Sequence, residues 1–215
     1  MKPTELLMQE HRVIEIVLSC LDRMADNCDA GRPLDMEAAT QALDFLRVYA
    51  DECHHHKEED LLFPLMEAKG FQRQNGPTGV MLHEHELGRR RIRGMADAIK
   101  EFSLGDLAGK LLFVEHARAY SALLRQHIQK EDHCLFQMAD QALSRADQEE
   151  LAAAFDKVEA GHGQRGAQKK YVSIAYALAD RLGVPVSDAL GSAYCGCSGS
   201  GQHAGADGPS PCANA

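Results

Sequence analysis

Two short stretches carry residue types that can hold a metal ion, at a spacing that suits a helix. One reads His54-His55-His56-Lys57-Glu58-Glu59-Asp60-Leu61-Leu62-Phe63-Pro64 and the other His127-Ile128-Gln129-Lys130-Glu131-Asp132-His133-Cys134-Leu135-Phe136. Residues four apart share one face of an α-helix, so an imidazole and a carboxylate at that spacing can reach a single ion. The three consecutive histidines leave the register open, because His54–Glu58, His55–Glu59 and His56–Asp60 all have the same separation. The second stretch has one frame, His-x-x-Lys-Glu-acid-x-x-Leu-Phe. Laid over the first, it matches His127 to His54 and Glu131 to Glu58, which selects His54 and Glu58.

The repeat extends upstream. Glu10-His11 recurs as Glu84-His85; His11 and His54 are 43 residues apart, and His85 and His127 are 42 apart. One half-site is written twice, each half with a lone His and a His-x-x-x-Glu pair. A histidine on an apolar stripe, such as His11, is ordinarily a core residue; the paired spacing argues for a ligand instead. The expected metal-binding set is therefore His11, His54, Glu58, His85, His127 and Glu131. Six donors are too many for one tetrahedral zinc, and the set is too rich in nitrogen for magnesium or calcium. Two glutamates at one level can each bridge a pair of ions, leaving two terminal histidines per ion. Mixed nitrogen and oxygen donors with open positions suit a non-haem di-iron centre, with manganese or zinc as substitutes. An excess of His over Glu favours reversible ligand binding over heavy oxidative chemistry. Cys53 and Cys134 lie near the motifs and are expected to be small buried hydrophobes rather than ligands.

Four helices must position these residues. The first covers 3–28, with Leu7, Ile14, Leu18 and Leu21 on its apolar stripe and Pro3 at its start. Asp35 is an expected N-cap for a second helix that runs to about Lys69, with Pro64 kinking or ending it a turn beyond the ligands. The third covers 78–102. Ser103 to Asp106 reads as a capping box before a fourth helix over 106–142. Measured from the turns, all four histidines lie about 30–35 Å along their helices at 1.5 Å per residue, so they share one level of an antiparallel bundle. The chain is expected to be all-α: an up-down-up-down four-helix bundle over residues 1–143, a two-helix extension over 144–184, and a flexible Gly/Ser/Cys-containing tail over 185–215. In that tail, Cys195-Gly196-Cys197 and Cys212 can bind a soft metal or exchange thiols, on a weak motif.

Composition excludes other classes. A net charge of −9 argues against capture of nucleic acid or an anionic membrane, and no apolar run reaches the ~20 residues of a spanning helix. Seven cysteines, four of them in helical segments, fit a reducing cytoplasm better than a disulfide framework.

Taken together, the His54 and His127 motifs and Glu84-His85 followed by Arg89 resemble the hemerythrin-like HHE cation-binding family over residues 3–142. The resemblance implies a bundle holding an oxo- or hydroxo-bridged di-iron centre that binds dioxygen, nitric oxide or peroxide. Animal oxygen carriers of the family have His-x-x-x-His on the third helix, where this chain has Arg89. They also use an Asp five residues after the fourth-helix His; Asp132 has that offset but turns away from His127, leaving Glu131 as the better ligand. The pattern is closer to the bacterial branch that includes the iron–sulfur-repair di-iron proteins. Members of that branch typically carry a paired-cysteine N-terminal domain, whereas the bundle here is expected to start directly at the first helix. The leading reading is a binding or sensing protein. The alternative is a di-iron redox enzyme that reduces peroxide or nitric oxide, or supplies iron to damaged clusters, and needs an electron donor. Tyr120, two turns before His127, is a ligand-channel candidate, and His116 lies further out towards the channel mouth. His55, His56, His83 and His133 are expected outside the ligand set, around it or on the surface.

Overall fold

The computed structural model describes residues 1–161 and 167–186. Those residues form helices and connecting turns with no strand. Helix α1 (Pro3–Asp29) starts on a proline, which needs no N–H in the first turn, and the Lys2 amide donates to Glu5 at 2.9 Å. Asp35 caps α2 (Met36–Phe45) by accepting the Ala38 amide at 3.1 Å. The rod then continues as π-wound turns over Leu46–His55 and Glu58–Leu62 before α3 (Phe63–Ala68).

Pro64 therefore does not end the second helix. It lies in the first turn of α3, where the bonding changes from π to α register and a missing N–H costs little.

Helix α4 (Pro77–Ser103) follows Gly76, where a Cβ would sit 1.7 Å from the Gln72 carbonyl oxygen, so only glycine fits. Ser103 does not form the expected capping box. Its hydroxyl donates back to the Lys100 carbonyl, and Asp106 alone caps α5 (Leu107–Lys130) through the Ala108 amide at 2.8 Å. That rod also passes through a π-wound segment, Glu131–Leu135, into α6 (Phe136–Ala142). A reciprocal Ser144–Asp147 pair opens α7 (Arg145–Gly161), and α8 (Ala167–Leu182) completes the described chain.

The α1, α2–α3, α4 and α5–α6 rods make an all-α, up-down-up-down bundle. Helix α8 packs on α1 and α2, and α7 packs on α1 and the Glu58–Leu62 turn. The interior is split into two apolar clusters. The larger holds Ile14, Leu18, Phe45, Met95 and Phe113 with Leu178 from α8; the smaller holds Leu7, Phe63, Met81 and Phe136 with Phe155 from α7. Between them lies one polar layer. His11 falls between Leu7 and Val13, and His85 between Met81 and Ile92, so each rod crosses from one cluster to the other at a histidine. Among the described residues no helix is long and apolar enough to cross a membrane. The Cys195-Gly196-Cys197 and Cys212 positions lie outside the described residues.

Candidate metal centre

The structure brings the six expected residues into the polar layer, each 1% exposed or less. The Nε2 atoms of His11 and His54 face each other at 2.9 Å, as do those of His85 and His127. Two imidazoles bound at right angles to one ion, at about 2.1 Å each, would set their nitrogens about 3.0 Å apart. The two glutamates span the pairs. Glu58 puts Oε1 3.5 Å from His54 and Oε2 3.5 Å from His85; Glu131 puts Oε1 3.2 Å from His127 and Oε2 3.2 Å from His11. All four carboxylate oxygens are buried without a hydrogen-bond partner. Buried oxygens left in that state are costly unless something else satisfies them, and a cation in each half-site does so.

The outward ring nitrogens are all held. Nδ1 of His11 donates to Asp132 at 2.7 Å, His54 to Glu10 at 2.9 Å, His85 to Glu59 at 2.6 Å and His127 to Glu84 at 2.9 Å. A carboxylate only accepts, so each bond puts a proton on Nδ1 and turns Nε2 inward, where it can serve a cation whenever that nitrogen is unprotonated. The pattern has two-fold symmetry matching the repeat. Glu10 and Glu84 precede the lone histidines and orient the partner helix's His; Glu59 and Asp132 follow Glu58 and Glu131 and orient the lone histidines. These four acids stand in the repeated motifs, and their adjacency to the candidate ligands was the signal that could have assigned them.

Electrostatics reflects the same crowding. Burial opposes charge on His11, but Asp132 and Glu131 outweigh it and raise its pKa. Burial likewise opposes charge on His127, yet Glu131 and Glu84 lift it to about 9. His54 and His85 are held well below the ordinary value by burial and by the neighbouring imidazoles. Burial and repulsion from Glu131 push Glu58 well above the carboxylate range. For Glu131, His127 and His11 outweigh burial and keep it ionised.

His55, expected around the ligand set or on the surface, is buried directly against that set. It is 3% exposed, its ring stacks on His85 with centroids 3.8 Å apart, and its Nδ1 lies 3.2 Å from Asp51. With Glu58, His85 and His127 it forms one of two groups able to hold an ion; the other is His11, His54, Glu58 and Glu131. The physical reason is the π-wound turn. A wider turn separates neighbours by less than the α-helix's 100°, so His54 and His55 both face inward. His83 and His133 are exposed, and His56 pairs with Asp60 towards solvent. Arg89, where a further third-helix His stands in animal carriers, reaches Asp51 and Glu59 instead. Cys134 is exposed and Cys53 half-buried, so neither is the buried hydrophobe expected.

Tyr120 is fully buried in the larger apolar cluster, with its hydroxyl lacking a hydrogen-bond partner. Gly88 makes room for its ring; a Cβ there would lie 3.4 Å from the ring edge. His116 is set against Gly94 of α4, where any Cβ would strike its ring.

Fold and site together define a helical bundle built around a His/Glu cation-binding layer. Residues 2–139 match the hemerythrin HHE cation-binding domain, and the chain belongs to that family. No curated protein and no solved structure is found to match it.

Proposed function

We propose that the layer holds two iron ions bridged by Glu58 and Glu131, and that the protein binds or senses dioxygen, nitric oxide or peroxide there. In this reading His11 and His54 are the terminal ligands of one ion, and His85, His127 and His55 those of the other. The observation that carries it is the pair of fully buried glutamates, each presenting one oxygen to either histidine pair, with Glu58's oxygens left without a hydrogen-bond partner. Iron in mixed nitrogen and oxygen donors supplies reversible one-electron chemistry and a coordination position for a small ligand. The His11–His54 position has one imidazole fewer and is the one assigned to the exogenous ligand.

The chain's own residues do the rest. The four Nδ1 bonds fix tautomer and ring orientation, so the donors are preorganised. The two apolar clusters keep bulk water from the layer. Tyr120 is proposed to line the route to the site, on the strength of its buried, unpartnered hydroxyl.

Metal content and the optical spectrum, before and after reduction and exposure to air, test this reading. About two irons per chain with near-ultraviolet bands that bleach and return support it. One zinc per chain, or two manganese ions, overturns the iron assignment. Steady-state consumption of peroxide or nitric oxide, given an electron donor, would make the protein a redox enzyme instead.

A further inference from the structure

The two half-sites repeat closely in their inner residues and differ in what backs them. In one, Glu84 orients His127 and also pairs with Lys130, whose side chain is 42% exposed. In the other, Glu10 orients His54 and pairs with Lys57 at 2.5 Å, but Lys57 is 1% exposed. It is covered by the C-terminal extension. Glu159 of α7 accepts a second bond from the Lys57 ammonium at 2.8 Å, and Gln168 of α8 donates to the same Glu10 oxygen that Lys57 binds, at 3.3 Å. Phe155 lies under the ammonium with its ring centre 5.8 Å away. A cavity of about 20 Å³ among Glu10, Lys57, Glu159 and Gln168 has room for one water. The family match ends at residue 139, so α7 and α8 are an addition to the shared bundle.

We infer that the C-terminal extension tunes one of the two metal positions, with Glu159 acting as a positioning residue for His54 through Lys57 and Glu10. The charges give the direction. Glu84 and Lys130 are neutral as a pair, whereas Glu10, Lys57 and Glu159 together carry one negative charge, with Glu10 and Lys57 buried and Glu159 at the edge, 30% exposed. Solvent screens part of that charge at Glu159, and the buried Glu10–Lys57 bond carries the remainder towards His54. Because Glu159 takes part of the Lys57 ammonium, more of the Glu10 carboxylate is left to accept from His54 Nδ1–H. His54 becomes a stronger donor at Nε2. The extension thus makes the His11–His54 position bind its cation more tightly than the bundle alone would. Lys130 has no equivalent third acid among the described residues, so its half-site is left untuned.

This inference rests on the two-ion reading above, and the test separates them. Zinc is titrated into the full metal-free chain against a chromophoric chelator, for wild type, Glu159→Gln and Glu159→Asp. Glu159→Gln should weaken one of two binding constants by about 3- to 10-fold, less than the loss of a direct orienting partner, and leave the other unchanged. Glu159→Asp should recover part of the loss. In zinc-loaded protein with ¹⁵N-labelled histidine, the His54 Nδ1 resonance should shift and that of His127 should not. Two unchanged constants would overturn the inference alone. Equal loss at both positions, with a lower melting temperature of the metal-free variant, would show a packing role and overturn it too. Wild-type chain that takes up fewer than two ions would overturn the two-ion reading and this inference with it.

Discussion

Replacing Glu58 and Glu131 separately by methionine should change the stability of the metal-free chain in opposite directions. The repeat makes the two glutamates equivalent in sequence, but their surroundings differ. Glu58 lies 3.5 Å from two imidazoles that burial keeps neutral, and its own carboxyl is pushed up, so it is a buried polar group with little to hold. A buried polar group left unsatisfied costs about 1–3 kcal/mol, which an apolar side chain of similar volume avoids. At about 2–4 °C per kcal/mol for a chain of this size, Glu58→Met should melt several degrees above wild type in chelator. Glu131 lies 3.2 Å from His11 and His127, the two imidazoles whose pKa values are raised. Removing it strands those charges at a cost of about 3–5 kcal/mol, and Glu131→Met should melt well below wild type. With metal present both variants should lose the wild-type gain. At a free-ion concentration 100 times Kd that gain is about 2.7 kcal/mol per site, or about 5 kcal/mol for two. Calorimetry of the three proteins, stripped and loaded, decides it. A metal-free Glu58→Met less stable than wild type, or one that still binds two ions, would refute the argument from its unpartnered oxygens.

Further outcomes follow from the same geometry. Asp132→Asn and Glu59→Gln, which weaken the acceptors of His11 and His85 Nδ1–H, should each reduce metal affinity by about 10- to 100-fold in a chelator competition. His55→Ala should lower occupancy at one position by elemental analysis, whereas His56→Ala, at the surface beside Asp60, should leave it unchanged. In the metal-free chain His127 has a folded pKa of about 9 against 6.5 unfolded. Its stabilising contribution is complete below pH 6.5 and is lost as pH rises through 9, so the urea midpoint of stripped protein should fall between pH 7 and 9. Leu18→Ala, at a fully buried position of α1, should cost about 2–5 kcal/mol in the same urea titration.

The helical bundle was legible because its signals are local and regular: apolar stripes at helical spacing, Asp35 before α2, and two copies of one motif. The level at which His11, His54, His85 and His127 meet was legible too, since helix rise converts distance from a turn into depth. The rest depended on geometry that residue spacing does not carry. A helical wheel assumes 100° per residue, and on that wheel His54 facing inward turns His55 aside. The π-wound turn breaks the assumption, and the repeat offered no correction because the residue equivalent to His55 is Ile128, itself buried in the larger apolar cluster. Asp132 shows the same limit from the other side. Its rotation away from His127 was foreseeable along its own helix, but its bond to His11 crosses the bundle and depends on how two helices pack. Repetition therefore shows what the half-sites share, and its failures show where they differ. His55 against Ile128 changes the number of imidazoles in each candidate half-site. Buried Lys57 against half-exposed Lys130 sets the surroundings of the two histidine pairs apart, and α7 and α8 supply the groups that cover Lys57. On the proposed two-iron reading, a site written twice with such breaks gives its two positions unlike surroundings, one with an extra imidazole at hand and one without.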